Sequence, residues 1–242
     1  MTDRNIIFVR AGGRTLALGA VVGGDQAPTN QAMRRIATAV EQFIGNAADV
    51  RDSLLGPAAK GARVAELAGP ALKVLNEGAQ TITAARASVE QRMAAPAIPA
   101  WGSHTPFFEA AADLAISQKF ASQPTSARVR ALARIAEAPL DHLDELGALI
   151  RSPRAISELS PQHVAALRVV AFEALRPDEH AALTVEQEQI ATGVGAVRIA
   201  GELLTDGGAA RSDLMSVAPD AVKLTSLSPL RWPDARTLLL EG

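Results

Sequence analysis

The residues through which this chain would do acid–base or metal chemistry are four histidines, His104, His142, His163 and His180, because it contains no cysteine. Two imidazoles four residues apart on a helix would make the core of a zinc site, and no pair among the four has that spacing. "PLDHLDEL" surrounds His142 with Asp141, Asp144 and Glu145, and "RPDEHAAL" sets His180 beside Asp178 and Glu179. Carboxylates in the first turn of a helix are favoured by the positive end of its dipole, so both clusters read as helix starts rather than as acid–base sites. "GSHTPFFE" brings Ser103, His104 and Glu109 together, but a catalytic triad is assembled by geometry and not by adjacency. Capping is the reading for Ser103 to Thr105.

Phosphate-binding loops fare no better. "AGGR" and "VVGGDQ" lack the P-loop spacing and the following Lys-Ser/Thr. "GVGAVRIAG" has Gly-x-Gly without a third glycine in place or a strand before it, so its small residues predict a tight helix crossing. "ARVRALAR" clusters Arg128, Arg130 and Arg134, yet the helix that follows, "LDHLDELGAL", is acidic and would repel phosphate. Net charge is −2, which gives no global attraction to nucleic acid or anionic lipid. The sequence therefore predicts no catalytic residue, no cofactor and no metal ligand, and its expected partners are proteins.

The elements that would hold any site are mostly helical. Tyrosine is absent and aromatics make up 3%, so cores must be built from Ala, Leu, Val and Ile, which suit close-packed helices. The exception is the start. "IIFVR" (6–10) and "TLALGAVV" (15–22) read as two strands around the turn "AGGR". A lone hairpin is marginal in water, so this one should lie on helices or complete a sheet in another chain. Apolar runs such as 16–22 are far too short to span a bilayer. The apolar stretch of "MTDRNIIFVRAGG" is too short for a secretory signal, so the expectation is a cytoplasmic chain, mature from Met1.

From Pro28 the period changes. Met33, Ile36, Val40, Phe43, Ala47, Val50 and Leu54 step by three and four, as do Val64, Leu67, Ala71, Leu75, Ala79, Ile82, Ala85, Val89 and Met93. This predicts an antiparallel helical hairpin over 29–94, its second arm kinked or split near 69 by Gly69-Pro70. The alanine-rich seam buries little area, so the hairpin should need a third element. "APAIPAWGSHTP" then reads as a linker anchored by Trp101. Beyond it, Pro106, Pro124, Pro139, Pro153, Pro161 and Pro177 punctuate the chain. Proline at the first helical position sacrifices no hydrogen bond. The repeat "SPRAISELSPQHVAAL" therefore marks helix starts, with core contacts three and six residues on: Ile156 and Leu159, Val164 and Leu167, His180 and Leu183.

The fold class expected is mainly α: a β-hairpin and long helical hairpin (1–94), a linker (95–105), a multi-helix domain (106–206) and an irregular apolar C-terminal arm (207–242). Pro219, Pro229 and Pro233 deny that arm a long helix, while its leucines and Trp232 are too apolar for a free tail. The reading that follows is a non-enzymatic structural or interaction protein, a subunit of a larger assembly such as a virion or secretion-type complex. The residues expected to touch a neighbouring chain are Leu230, Trp232, Leu238, Leu239 and Leu240 in the arm, and Ile6 and Phe8 in the hairpin. A helical regulatory or nucleic-acid-binding protein, then an all-α enzyme with a dispersed site, are the alternatives.

Overall fold

The structure, a computed structural model, describes residues 5–11, 14–94, 106–232 and 234–240. In chain order it has strands β1 (Ile6–Ala11) and β2 (Arg14–Ala20), then helices α1 (Pro28–Asp52), α2 (Pro57–Ala94), α3 (Pro106–Ala121) and α4 (Thr125–Glu137). A 3-10 turn (Pro139–His142) leads to α5 (Leu143–Arg151), α6 (Arg154–Ser157), α7 (Pro161–Leu175) and α8 (Pro177–Asp206). The chain closes with α9 (Arg211–Val217), α10 (Pro219–Thr225) and α11 (Ala235–Leu240). The class is mainly α with an N-terminal β-hairpin, as composition and periodicity predict. The turn at Gly12-Gly13 and the linker with Trp101, Ser103 and His104 lie outside the described residues.

Two compact units form. One is Met1–Glu90 with Thr184–Leu230, and the other is Gln91–Leu183 with Arg231–Gly242. These divisions differ from a domain spanning 106–206 followed by a single arm. The later part of α8 groups with the N-terminal elements, and the arm divides at 230/231.

In the first unit the seam residues of α1 from Met33 to Ala47 are buried, and α2 buries Val64, Ala71, Leu75, Ala79, Ile82 and Val89. The third element that this seam needs is α8. An alanine β-carbon at Gly193 would lie 2.8 Å from Thr29 Cγ2 on α1 and 3.0 Å from Ile82 Cδ1 on α2. Glycine there lets the three helices approach closely, so Gly193 marks the crossing, whereas Gly195 faces open space. Gly78 serves α1 against α2 likewise, its absent side chain leaving room for Ile36.

Two details of the helical hairpin depart from expectation. α2 is not split at Gly69-Pro70 but runs through Pro70. Pro70 is exposed, so the carbonyl one turn back can turn to water, while the flanking Ala68, Ala71 and Leu72 hold the buried side. At the other end the seam stops early: Val50 is half-buried, α1 ends at Asp52, and Leu54 is 106% exposed. Residues 207–230, expected as irregular, form the short helices α9 and α10. Asn76 of α2 clamps α10 from both sides: its Oδ1 accepts from the Asp220 amide (2.9 Å) and its Nδ2 donates to Asp220 Oδ2 (3.2 Å).

The second unit gathers α3 to α7 and α11 around Leu132, Ile135, Leu146, Leu149, Leu167 and Leu239. The proline rule holds along it. Helices begin at Pro106, Pro161 and Pro177, one residue after Pro124 and Pro153, and at Pro139 as a 3-10 turn. Leu159, Leu167 and Leu183, six residues after their prolines, are buried, while Ile156, Val164 and His180 are half-buried. Of the hydroxyls before these prolines, Ser160 caps, its Oγ accepting from the His163 amide at 3.1 Å. Ser152 does not, its buried Oγ having no partner.

Candidate functional site

The histidines with described positions do not converge. His142 Nδ1 lies 3.7 Å from Glu145 Oε2 one turn on, and His163 Nδ1 lies 2.9 Å from Ser160 Oγ at the α7 cap. His180 sits under Trp232, ring centroids 5.0 Å apart, with the Phe172 ring edge-on at 6.0 Å. Among the described residues, no group of three His or acidic side chains is placed to hold a metal ion. Arg128 of the basic cluster is paired with Glu158 at 2.9 Å. No described helix is long and apolar enough to cross a membrane.

What the first unit presents is apolar surface. β1 and β2 pair antiparallel, with a register shift between Ile7 and Phe8 that leaves Leu18 without an opposite residue and turns it inward. Ile7, Val9 and Leu18 are buried on the face that β1 lays on α1. Gly19 lets β2 approach α8, where an added β-carbon would sit 2.9 Å from Thr192 Cγ2. Alternation along β1 leaves Ile6 (47%) and Phe8 (50%) in solvent. The Arg10 amide is taken by Glu41 Oε1 at 2.8 Å, which holds one point of β1 to α1. The hairpin thus lies on its own helices, and its outward apolar side chains remain open.

A cleft of about 780 Å³ in the same unit went unseen in the sequence. α8, α9 and α10 line it with Val197, Leu214, Met215 and Val222 below and Arg198, Glu202 and Arg211 around. Only the i,i+4 spacing of Arg198 and Glu202 hinted at an outward face there. Much of the apolar wall comes from α9 and α10, short helices in a stretch expected to be irregular.

Of the C-terminal residues singled out for a neighbouring chain, Leu239 is used within its own unit. Leu239 is fully buried in the core of its own unit, with Trp232 and Leu238 half-buried against that core and Ala235 beneath them. α11 lies on α7 and α4. A side chain with no exposed surface cannot touch a neighbour while seated there, so for Leu239 the expectation of a contact with another chain is corrected to intramolecular packing. The cause is the helical turn begun by Asp234, whose Oδ1 accepts from the Thr237 amide (3.1 Å) and Oδ2 from its hydroxyl (2.8 Å). It turns Ala235 and Leu239 to one side. Leu230 belongs to the first unit and is half-buried; the side chain of Leu240 lies outside the described residues. Comparison with protein-family models, curated proteins and solved structures finds no match to this chain.

Proposed function

We propose that this chain is a non-enzymatic interaction protein, a subunit of a larger assembly, and that the outer face of its β-hairpin is a contact surface. One observation carries the reading: a two-stranded sheet that buries Ile7, Val9 and Leu18 on its inner face while Ile6 and Phe8, large and apolar, stand half in water on the outer face. Aromatic and aliphatic side chains so displayed are what anchors an interface, where truncating a central one typically costs more than 1 kcal/mol. A sheet with so few strands also gains most from a further strand or an apolar surface laid over it. An assembly of the virion or secretion type would use such a face.

The test is the double substitution Ile6→Asp with Phe8→Asp. Both side chains already face solvent, so circular dichroism should be unchanged. The parent, sized in extract of its source, should run in a larger species, and the variant at the mass of the chain alone. If both run alike, the hairpin face is not a contact.

A further inference from the structure

We propose that the groove between α4 and α7 is an exchange site, which takes the segment 231–240 of a second copy of this chain in place of its own. The proposal shares with the preceding section the premise that the chain works in an assembly, but it rests on a different surface.

The groove's occupant is on view. α11 fills it with Leu239 and Ala235, and Trp232 closes one end over Phe172 and His180. The charges match as well. Arg236 of the segment lines a 430 Å³ hollow whose wall carries Glu137, Asp141 and Glu173, so a cationic segment meets an acidic rim. An identical segment from another chain brings the same side chains in the same order. Closed and exchanged forms therefore make the same groove contacts and differ only in how the segment is tethered.

Release is also within reach. Ala235 and Leu239 are the buried side chains among the described residues of the segment, against ten residues that must be held in order. The seat is imperfect, because the buried indole Nε1 of Trp232 has no hydrogen-bond partner. The tether leaves α10 at Thr225 and carries no regular helix or strand through the described residues up to Trp232. Leu227, Ser228 and Pro229 are exposed there, and Arg86 Nη1 donates to the Ser228 carbonyl at 2.8 Å. The break between units falls at 230/231, inside this tether. A segment on such a tether can leave its groove without α4 or α7 unfolding.

Refolding the full chain from urea at about 1 mM and at about 1 µM, followed by light-scattering mass, tests this. The concentrated sample should yield a dimer that persists on dilution, and the dilute sample a monomer. A synthetic peptide of residues 229–242 in roughly hundredfold excess should suppress the dimer by filling the grooves. Because both forms make the same contacts, Leu239→Ala should leave the dimer share alone and speed its dissociation at least about tenfold. Should that variant fail to fold, Arg236→Glu, on the exposed rim, should speed dissociation likewise at low salt. A chain that refolds only to monomer at 1 mM overturns the proposal. So does a dimer that ignores the peptide and dissociates at the parental rate in the variant. The hairpin double substitution leaves this exchange untouched, so the two readings fail separately.

Discussion

Alanine at Gly193 and alanine at Gly195, two residues apart on α8, should move stability in opposite directions. In a helix interior with open space around it, replacing glycine by alanine gains about 1 kcal/mol, because the chain loses less backbone freedom on folding. Nothing lies within 4 Å of a β-carbon at Gly195, so there the gain should appear whole. At Gly193 the same methyl would come 2.8 Å from Thr29 Cγ2 and 3.0 Å from Ile82 Cδ1. Both neighbours are buried at 2% exposure or less, and Thr29 is β-branched and stiff at its first torsion. Overpacking of this kind costs about 1–3 kcal/mol, which outweighs the helical gain and leaves a net loss of about 1 kcal/mol. Hydrogen exchange of peptides covering 190–204, read by mass spectrometry, isolates this helix from the other unit. A change of 1 kcal/mol is roughly fivefold in opening, so exchange should slow about fivefold for Gly195→Ala and quicken about fivefold for Gly193→Ala. If both variants slow exchange equally, α8 does not cross α1 and α2 at Gly193, and the account of the three-helix packing fails.

Two further outcomes follow from the packing and the caps. Phe43 is almost fully buried, and its ring occupies the space left by the absent side chain of Gly207; Phe43→Ala should cost about 3–5 kcal/mol, and a urea midpoint for the first unit equal to the parent's would refute that placement. Hydrogen bonds from the Thr237 hydroxyl and amide hold the Asp234 carboxyl below the usual aspartate range, so its contribution to α11 is present above that range and is lost as pH falls through the lowered value. Trp232 fluorescence should therefore change as pH falls below about 4, and Asp234→Asn, which keeps a capping oxygen but cannot titrate, should remove this component of the change.

Helix placement was largely legible in the residues, because its causes are local. A proline that has no amide to lose acts within the first turn, and it located α3, α7 and α8 without reference to the rest of the chain, with Ser160 and Leu167 adding to the signal at α7 and Leu183 at α8. The α1 and α2 seam was legible too, since a step of three and four survives whatever the stripe packs against. Where that stripe ends was not, because Val50 and Leu54 keep the spacing after the third helix has run out.

Tertiary structure alone decided the rest. That the later half of α8 joins α1 and α2 depends on Gly193 meeting Thr29 and Ile82 across the fold, a fit of methyl-sized gaps that no local pattern encodes. The sides of the hairpin were implied by alternation, but which one faces water was settled by the α1 surface beneath Ile7 and Val9. The C-terminal segment shows the division most plainly. Its leucines and tryptophan demanded burial, and that much is a property of the side chains. Where they are buried depends on a groove made by α4 and α7, far away in the sequence, whose depth and acidic rim exist only once those helices have packed.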